Sequence, residues 1–145
     1  MNAYLKVFAV SFSVAVFAAC SSGPNPMMKE AMDMCSKVVS MKDSLSGVLD
    51  TKIESVTGMI GKADSTVDST TVAGWNSSLA SLSDLKAQLT TWASNMKVLP
   101  SAEEMAKGAS NPFGDMSPDK VLEEVKGYMT QITEMKEKVS AAVGM

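Results

Sequence analysis

Apolar residues recur at intervals of three and four from Met27 onward, which is the spacing of one face of an α-helix. The first stripe slips by one residue near Val48, and Gly47 disfavours a helix interior by about 1 kcal/mol relative to Ala. We therefore predict one long helix, or two shorter helices with a break near Gly47. A continuous helix over residues 27–64 would be about 57 Å long and would extend beyond neighbours of about 40 Å. The members of this stripe are Met28, Ala31, Cys35, Val38, Met41, Leu45, Leu49, Ile53, Val56, Ile60, Ala63 and Val67.

A second stripe keeps the same spacing from residue 72 to residue 99 without a gap. It predicts a helix over about residues 71–97, which ends before Pro100 because a residue that precedes proline is disfavoured in the helical conformation. Trp75 and Trp92 lie on the stripe and are interpreted as core residues. The members of the stripe are Val72, Trp75, Leu79, Leu82, Leu85, Leu89, Trp92, Met96 and Leu99.

Two helix-start signals follow the second stripe. Ser101 with Glu104 three residues later has the pattern of a capping box and predicts one short helix. Ser117 followed by Pro118 predicts the start of the last helix. The apolar positions of that helix are Val121, Leu122, Val125, Met129, Ile132, Met135, Val139 and Ala142.

The fold class predicted from these stripes is all-α, because the alternating runs and tight hairpin turns typical of strands are absent from the sequence. Each stripe must be buried against the others. We expect residues 27–145 to form a single domain, an antiparallel three-helix bundle plus one short helix, with a fourth long helix if the first one breaks near Gly47.

The first twenty residues, MNAYLKVFAVSFSVAVFAAC, have a different pattern. Lys6 precedes thirteen residues, 7–19, of which only Ser11 and Ser13 are polar. This order is typical of a signal peptide. As a helix the run would cover about 20 Å, less than the ~30 Å of a bilayer core, so it is a poor permanent span.

The end of this run, Phe17-Ala18-Ala19-Cys20, resembles the lipobox of bacterial lipoproteins, although Leu is usual where Phe17 stands. The resemblance implies that Cys20 receives a diacylglyceryl group and that signal peptidase II removes residues 1–19. Residues 20–26 would then form a flexible tether to the bilayer. Ser21 resembles the class of lipoproteins that is sorted onward, which implies the outer membrane of a bacterial envelope.

Two other fates of this segment are compatible with the sequence. An ordinary signal peptidase could cut after Ala18, in which case Cys20 would stay in a secreted chain and could pair with Cys35. The segment could also remain uncleaved as an anchor.

The charged residues narrow the range of functions. The chain has 13 Lys and 16 Asp plus Glu, with no His, and its net charge is −3. Nucleic-acid recognition normally uses clustered positive charge and Arg, which this sequence lacks, so we expect no nucleic-acid partner. The absence of His removes the commonest general base and the commonest metal ligand. The other potentially catalytic residues do not stand in the spacing of a known active site, so we predict a non-enzymatic protein without a cofactor.

A methionine-rich stretch offers an alternative function. Met28, Met32 and Cys35 fall on one helical face, where soft sulfur ligands could bind Cu(I). Methionine more often fills irregular gaps in helical cores, and the chain contains 13 Met. The alternative is a small binding protein that holds a soft metal or an apolar ligand within the bundle.

Phe113 lies in a loop-like stretch, GASNPFGDMS, without periodic apolar partners. It either plugs an end of the bundle or offers an aromatic contact to a partner. The function predicted from the sequence is a membrane-anchored envelope lipoprotein, a structural or protein-interaction module with an envelope protein as its expected partner.

Overall fold

A computed structural model describes residues 25–144, which form four α-helices. Three are long, and a single short helix lies in the connection between the second and the last. The described part contains no β-strand, so the predicted all-α class is confirmed. The helices are α1 (Pro26–Gly61), α2 (Ser69–Asn95), α3 (Ala102–Ala106) and α4 (Pro118–Val143).

The first helix is continuous, and the alternative break near Gly47 does not occur. α1 contains 36 residues and is about 54 Å long. Leu45 and Leu49 are buried on either side of Gly47, and the Thr51 hydroxyl donates a 2.9 Å hydrogen bond to the Gly47 carbonyl oxygen. Burial of the flanking leucines outweighs the modest helix penalty of one glycine. The slip in the stripe instead leaves Val48 42% exposed.

Side-chain caps fix most of the helix starts. The Asn25 side chain accepts a hydrogen bond from the Met27 N–H, and the Asp68 side chain accepts one from the Thr71 N–H. These polar side chains satisfy amide groups that have no partner within the helix. The cap at Asp68 starts α2 two residues earlier than the stripe predicted.

α3 and α4 begin where the sequence predicted them to begin. Ser101 and Glu104 form both hydrogen bonds of a capping box at the start of α3. α4 begins at Pro118, as predicted, although the Ser117 side chain makes no capping hydrogen bond.

α1 forms the central contacts of the bundle. It packs most extensively against α4 and somewhat less against α2, whereas α2 and α4 touch each other least. α4 runs parallel to α1: Lys126 lies 3.6 Å from Glu30, and Val143, later in α4, lies beside Val48, later in α1. Of the residues in α2, only Leu82 and Leu89 are buried. Trp75 and Trp92 pack against the core but remain half-buried, less deeply than predicted.

The two ends of the bundle differ in cover. At one end, the segment 96–117 binds the first halves of α1 and α4 through hydrogen bonds from Leu99 to Cys35 and from Lys97 to Tyr128. This segment contributes buried Leu99 and Phe113, and we name this end the closed end. At the other, α4 stops at Val143 beside Val48 and Ser55, while α1 continues to Gly61. No residue in positions 57–81 is buried, and we name this part the open end. At this end α1 therefore extends beyond α4, as a long first helix was predicted to extend beyond its neighbours, but it does not extend beyond α2, which begins here.

Candidate functional site

The predicted lipidation site, Cys20, lies outside the described residues, as do the predicted signal peptide at 1–19 and most of the tether. The structure describes the last two tether residues, where Asn25 caps α1 and Pro26 is its first residue. The bundle therefore begins six residues after Cys20. In the described part of the chain, no helix is long and apolar enough to cross a membrane.

The three candidate soft-metal ligands all lie in the first turns of α1, but they differ in burial. Cys35 is 0% exposed and Met32 is 6% exposed, whereas Met28 is half-buried. The Cys35 sulfur accepts a 3.3 Å hydrogen bond from the backbone N–H of Leu99. This bond gives the thiol a structural task, because it joins the segment that follows α2 to the first helix.

Conventional metal ligands form no cluster in the part of the chain that is described. Between residues 25 and 144, no group of three or more His, Cys, Asp and Glu side chains is arranged to hold a metal ion. Cys35 and Met32 both pack in the hydrophobic core, and this packing accounts directly for their presence.

Phe113 is only 5% exposed and belongs to the core of the closed end. The Asn111 side chain accepts a 3.0 Å hydrogen bond from the Phe113 N–H, and Gly114 follows with a φ of 58°, a conformation that glycine adopts readily. This turn directs the ring inward. The Lys97 ammonium lies 5.5 Å from the ring centroid, a cation–π distance. The position is that of a plug, and an aromatic contact with a partner would require the ring to leave the core.

Tyr128 is a core residue that sequence reasoning missed. It is 9% exposed, and its hydroxyl accepts a 3.4 Å hydrogen bond from the Lys97 N–H and donates a 3.2 Å bond to Glu124. Burial is the main cause that raises the pKa of Tyr128, and the neighbouring Glu124 raises it further. Its ring meets Trp92 edge to face at 6.4 Å. The spacing of Val125, Tyr128 and Ile132 was a signal that could have identified it, since it continues the three-and-four pattern.

The open end carries apolar side chains that are incompletely covered. The stripe of α1 continues past buried Val56 to Ile60, and the stripe of α2 continues from buried Leu82 back to Leu79 and Trp75. Ile60, Leu79 and Trp75 are each half-buried. The adjoining sequence of α2, STTVAGWNSSLASLS, carries no charged residue. This part of α2 resembles the centre of a protein contact, where charged residues are depleted, although the end of α1 and the following connection carry Lys62, Asp64 and Asp68.

Carboxylates near the helix starts are held in their charged form. The Thr71 side-chain hydroxyl and backbone N–H donate to Asp68 and lower its pKa, and the backbone N–H and hydroxyl of Ser101 do the same for Glu104. These shifts arise from capping, so they indicate helix starts and not acid–base catalysis.

Comparison of the chain with protein-family models, curated proteins and solved structures gives no significant match.

Proposed function

We propose that this protein is a bacterial envelope lipoprotein, anchored through acylated Cys20, whose helical bundle has a structural or protein-interaction role without enzymatic activity. Its first partner is the lipid bilayer of the outer membrane, which holds the acylated Cys20. Its second partner is another envelope protein. Nucleic acid is not among them, because an acidic chain without Arg lacks the charge that phosphate binding requires.

The observation that carries the proposal is the Phe17-Ala18-Ala19-Cys20 ending of the apolar run. A thiol at this position provides the atom that forms a thioether with a diacylglyceryl group. Each buried methylene of an acyl chain contributes about 0.8 kcal/mol, and stable anchoring needs more than one chain. A cysteine that bears several acyl chains meets that requirement without help from the bundle surface.

The start of α1 supports the same arrangement. Asn25 and Pro26 begin the helix six residues after Cys20, so the tether spans at most about 20 Å when extended. The closed end, which contains the start of α1, is then held near the bilayer. The open end lies up to about 54 Å away along α1, where its half-buried apolar surface is accessible to a protein partner.

The position of Cys35 weighs against the secreted disulfide form. Its sulfur is fully buried and already bound by the Leu99 N–H. A disulfide requires the two Cα atoms to lie within about 7 Å. Cys20 would therefore have to enter the core beside Leu99, which would displace the closed end of the bundle.

Metabolic labelling with an alkyne fatty acid tests the proposal. We expect the wild-type chain and the Cys35→Ala variant to take up label, and the Cys20→Ala variant to take up none and to leave the membrane fraction. Cys35→Ala is the matched control, because it removes the other thiol. A wild-type chain that takes up no label, begins at Ala19 and has Cys20 bonded to Cys35 would contradict the proposal.

The location of the anchor can be tested separately in a Gram-negative host. In the lipoprotein family, Asp directly after the lipidated cysteine retains the chain on the inner membrane in many such bacteria. We therefore expect the wild type in the outer-membrane fraction and Ser21→Asp in the inner-membrane fraction, with Ser21→Ala as the control. An inner-membrane location of the labelled wild type would refute the outer-membrane assignment alone.

A further inference from the structure

We draw no further inference here: the strongest candidate, the half-buried apolar surface that Ile60, Trp75 and Leu79 form at the open end of the bundle, lies beyond the end of α4, and nothing in the structure shows what covers it.

Discussion

Leu99 and Phe113 at the closed end are each 5% exposed, whereas Trp75 and Leu79 at the open end are half-buried, although all four are large apolar residues. The difference in burial arises from the elements that cover α1 and α2 at each end. At the closed end, α1 is covered by α4 and by the segment 96–117. At the open end, α4 no longer covers α1 and α2, because it ends at Val143.

An apolar stripe determines which face of a helix turns inward, but the depth of burial depends on which other elements cover that face. The α2 stripe runs unbroken from Val72 to Leu89, yet burial begins only at Leu82. The charged residues of α2 are also confined to one part of that helix. α4 carries acidic and basic residues along its length, whereas those of α2 are Asp84 and Lys86, both within its second half.

The largest expected effect separates two leucines one turn apart on α2. Leu82→Ala should lower the free energy of unfolding by about 3 to 4 kcal/mol, because it empties a fully buried site. Leu79→Ala should lower it by about 1 kcal/mol, since its side chain is only half-buried. Urea denaturation of residues 25–145 measures both values.

The pair is its own control, because residue type, helix and substitution are the same. Equal losses at the two positions would show that Leu79 is as well covered in solution as Leu82, and the distinction between the open end and the rest of the bundle would have to be abandoned.

A second test compares the aromatic residues of the two ends. Phe113→Ala should cost about 3 kcal/mol, since its buried ring plugs the closed end. Trp75→Ala should cost about 1 to 2 kcal/mol despite the larger side chain, because part of its surface stays exposed to water. Denaturation midpoints with m-values check this order, and the reverse order would mean that Phe113 leaves the core in solution.

The buried thiol gives an intermediate effect. Cys35→Ala should lower stability by about 2 kcal/mol, because it leaves the Leu99 N–H unpaired in the core. The exposed neighbour Ser36 is the control, and Ser36→Ala should change stability little. A loss no larger than that of the control would show that the sulfur does not hold Leu99 in place.

The same thiol also tests the copper alternative. We expect no tight Cu(I) complex of the wild-type chain in a titration against a competing chelator. A one-to-one complex that disappears in Cys35→Ser would establish the soft-metal function instead, since removal of the thiolate leaves only weaker thioether ligands.

A smaller effect concerns the cap of α3 at the closed end. Ser101→Ala should cost about 1 kcal/mol, because it removes the hydroxyl of the capping box. The Ser101 backbone N–H is the main cause of the lowered Glu104 pKa, and the hydroxyl is the second. In the variant, that pKa should therefore rise only part of the way toward its ordinary value of 4.5.

The pH dependence of this cap has a defined sign. Since folding lowers the Glu104 pKa, its stabilisation is present above pH 4.5 and is lost as the pH falls through the lowered value. An NMR titration of the Glu104 carboxylate reports both effects. An unchanged pKa in Ser101→Ala would show that the hydroxyl does not bind the carboxylate.

The smallest expected effect is a gain in stability. Gly47 lies inside α1, and a Cβ added there would meet no atom within 4 Å. Gly47→Ala should therefore raise the free energy of unfolding by up to about 1 kcal/mol, as measured by urea denaturation. A loss would indicate that α1 bends at this position in solution and that the two ends move separately.

The sequence was most informative where a local interaction decides the structure. The capping box at Ser101 and the start at Pro118 depend on side chains a few residues apart, and both were predicted. The cap at Asp68 is equally local but lies before the first apolar residue of its stripe, so the predicted start of α2 was two residues late.

Features that depend on distant residues were harder to predict. Phe113 has no periodic partners, so its burial depends on a turn and on the approach of Lys97, and two alternatives stayed open. The ring of Tyr128 packs against Trp92 and its hydroxyl binds the Lys97 N–H, and both partners lie far from it along the chain. The continuity of α1 at Gly47 likewise depends on helices that pack against Leu45 and Leu49. Cys20 is identified by its local sequence alone, and its lipidation stays a prediction.

The central position of α1 also has a consequence for the order of folding. α2 follows α1 after a short connection, so these two helices can pair early at a small loop-closure cost. α4 is α1's most extensive neighbour but starts at Pro118, far along the chain from Gly61. During synthesis the groove between α1 and α2 therefore stays uncovered until α4 arrives. For that interval the nascent hairpin exposes the apolar surface that α4 later buries, which is when aggregation competes with folding.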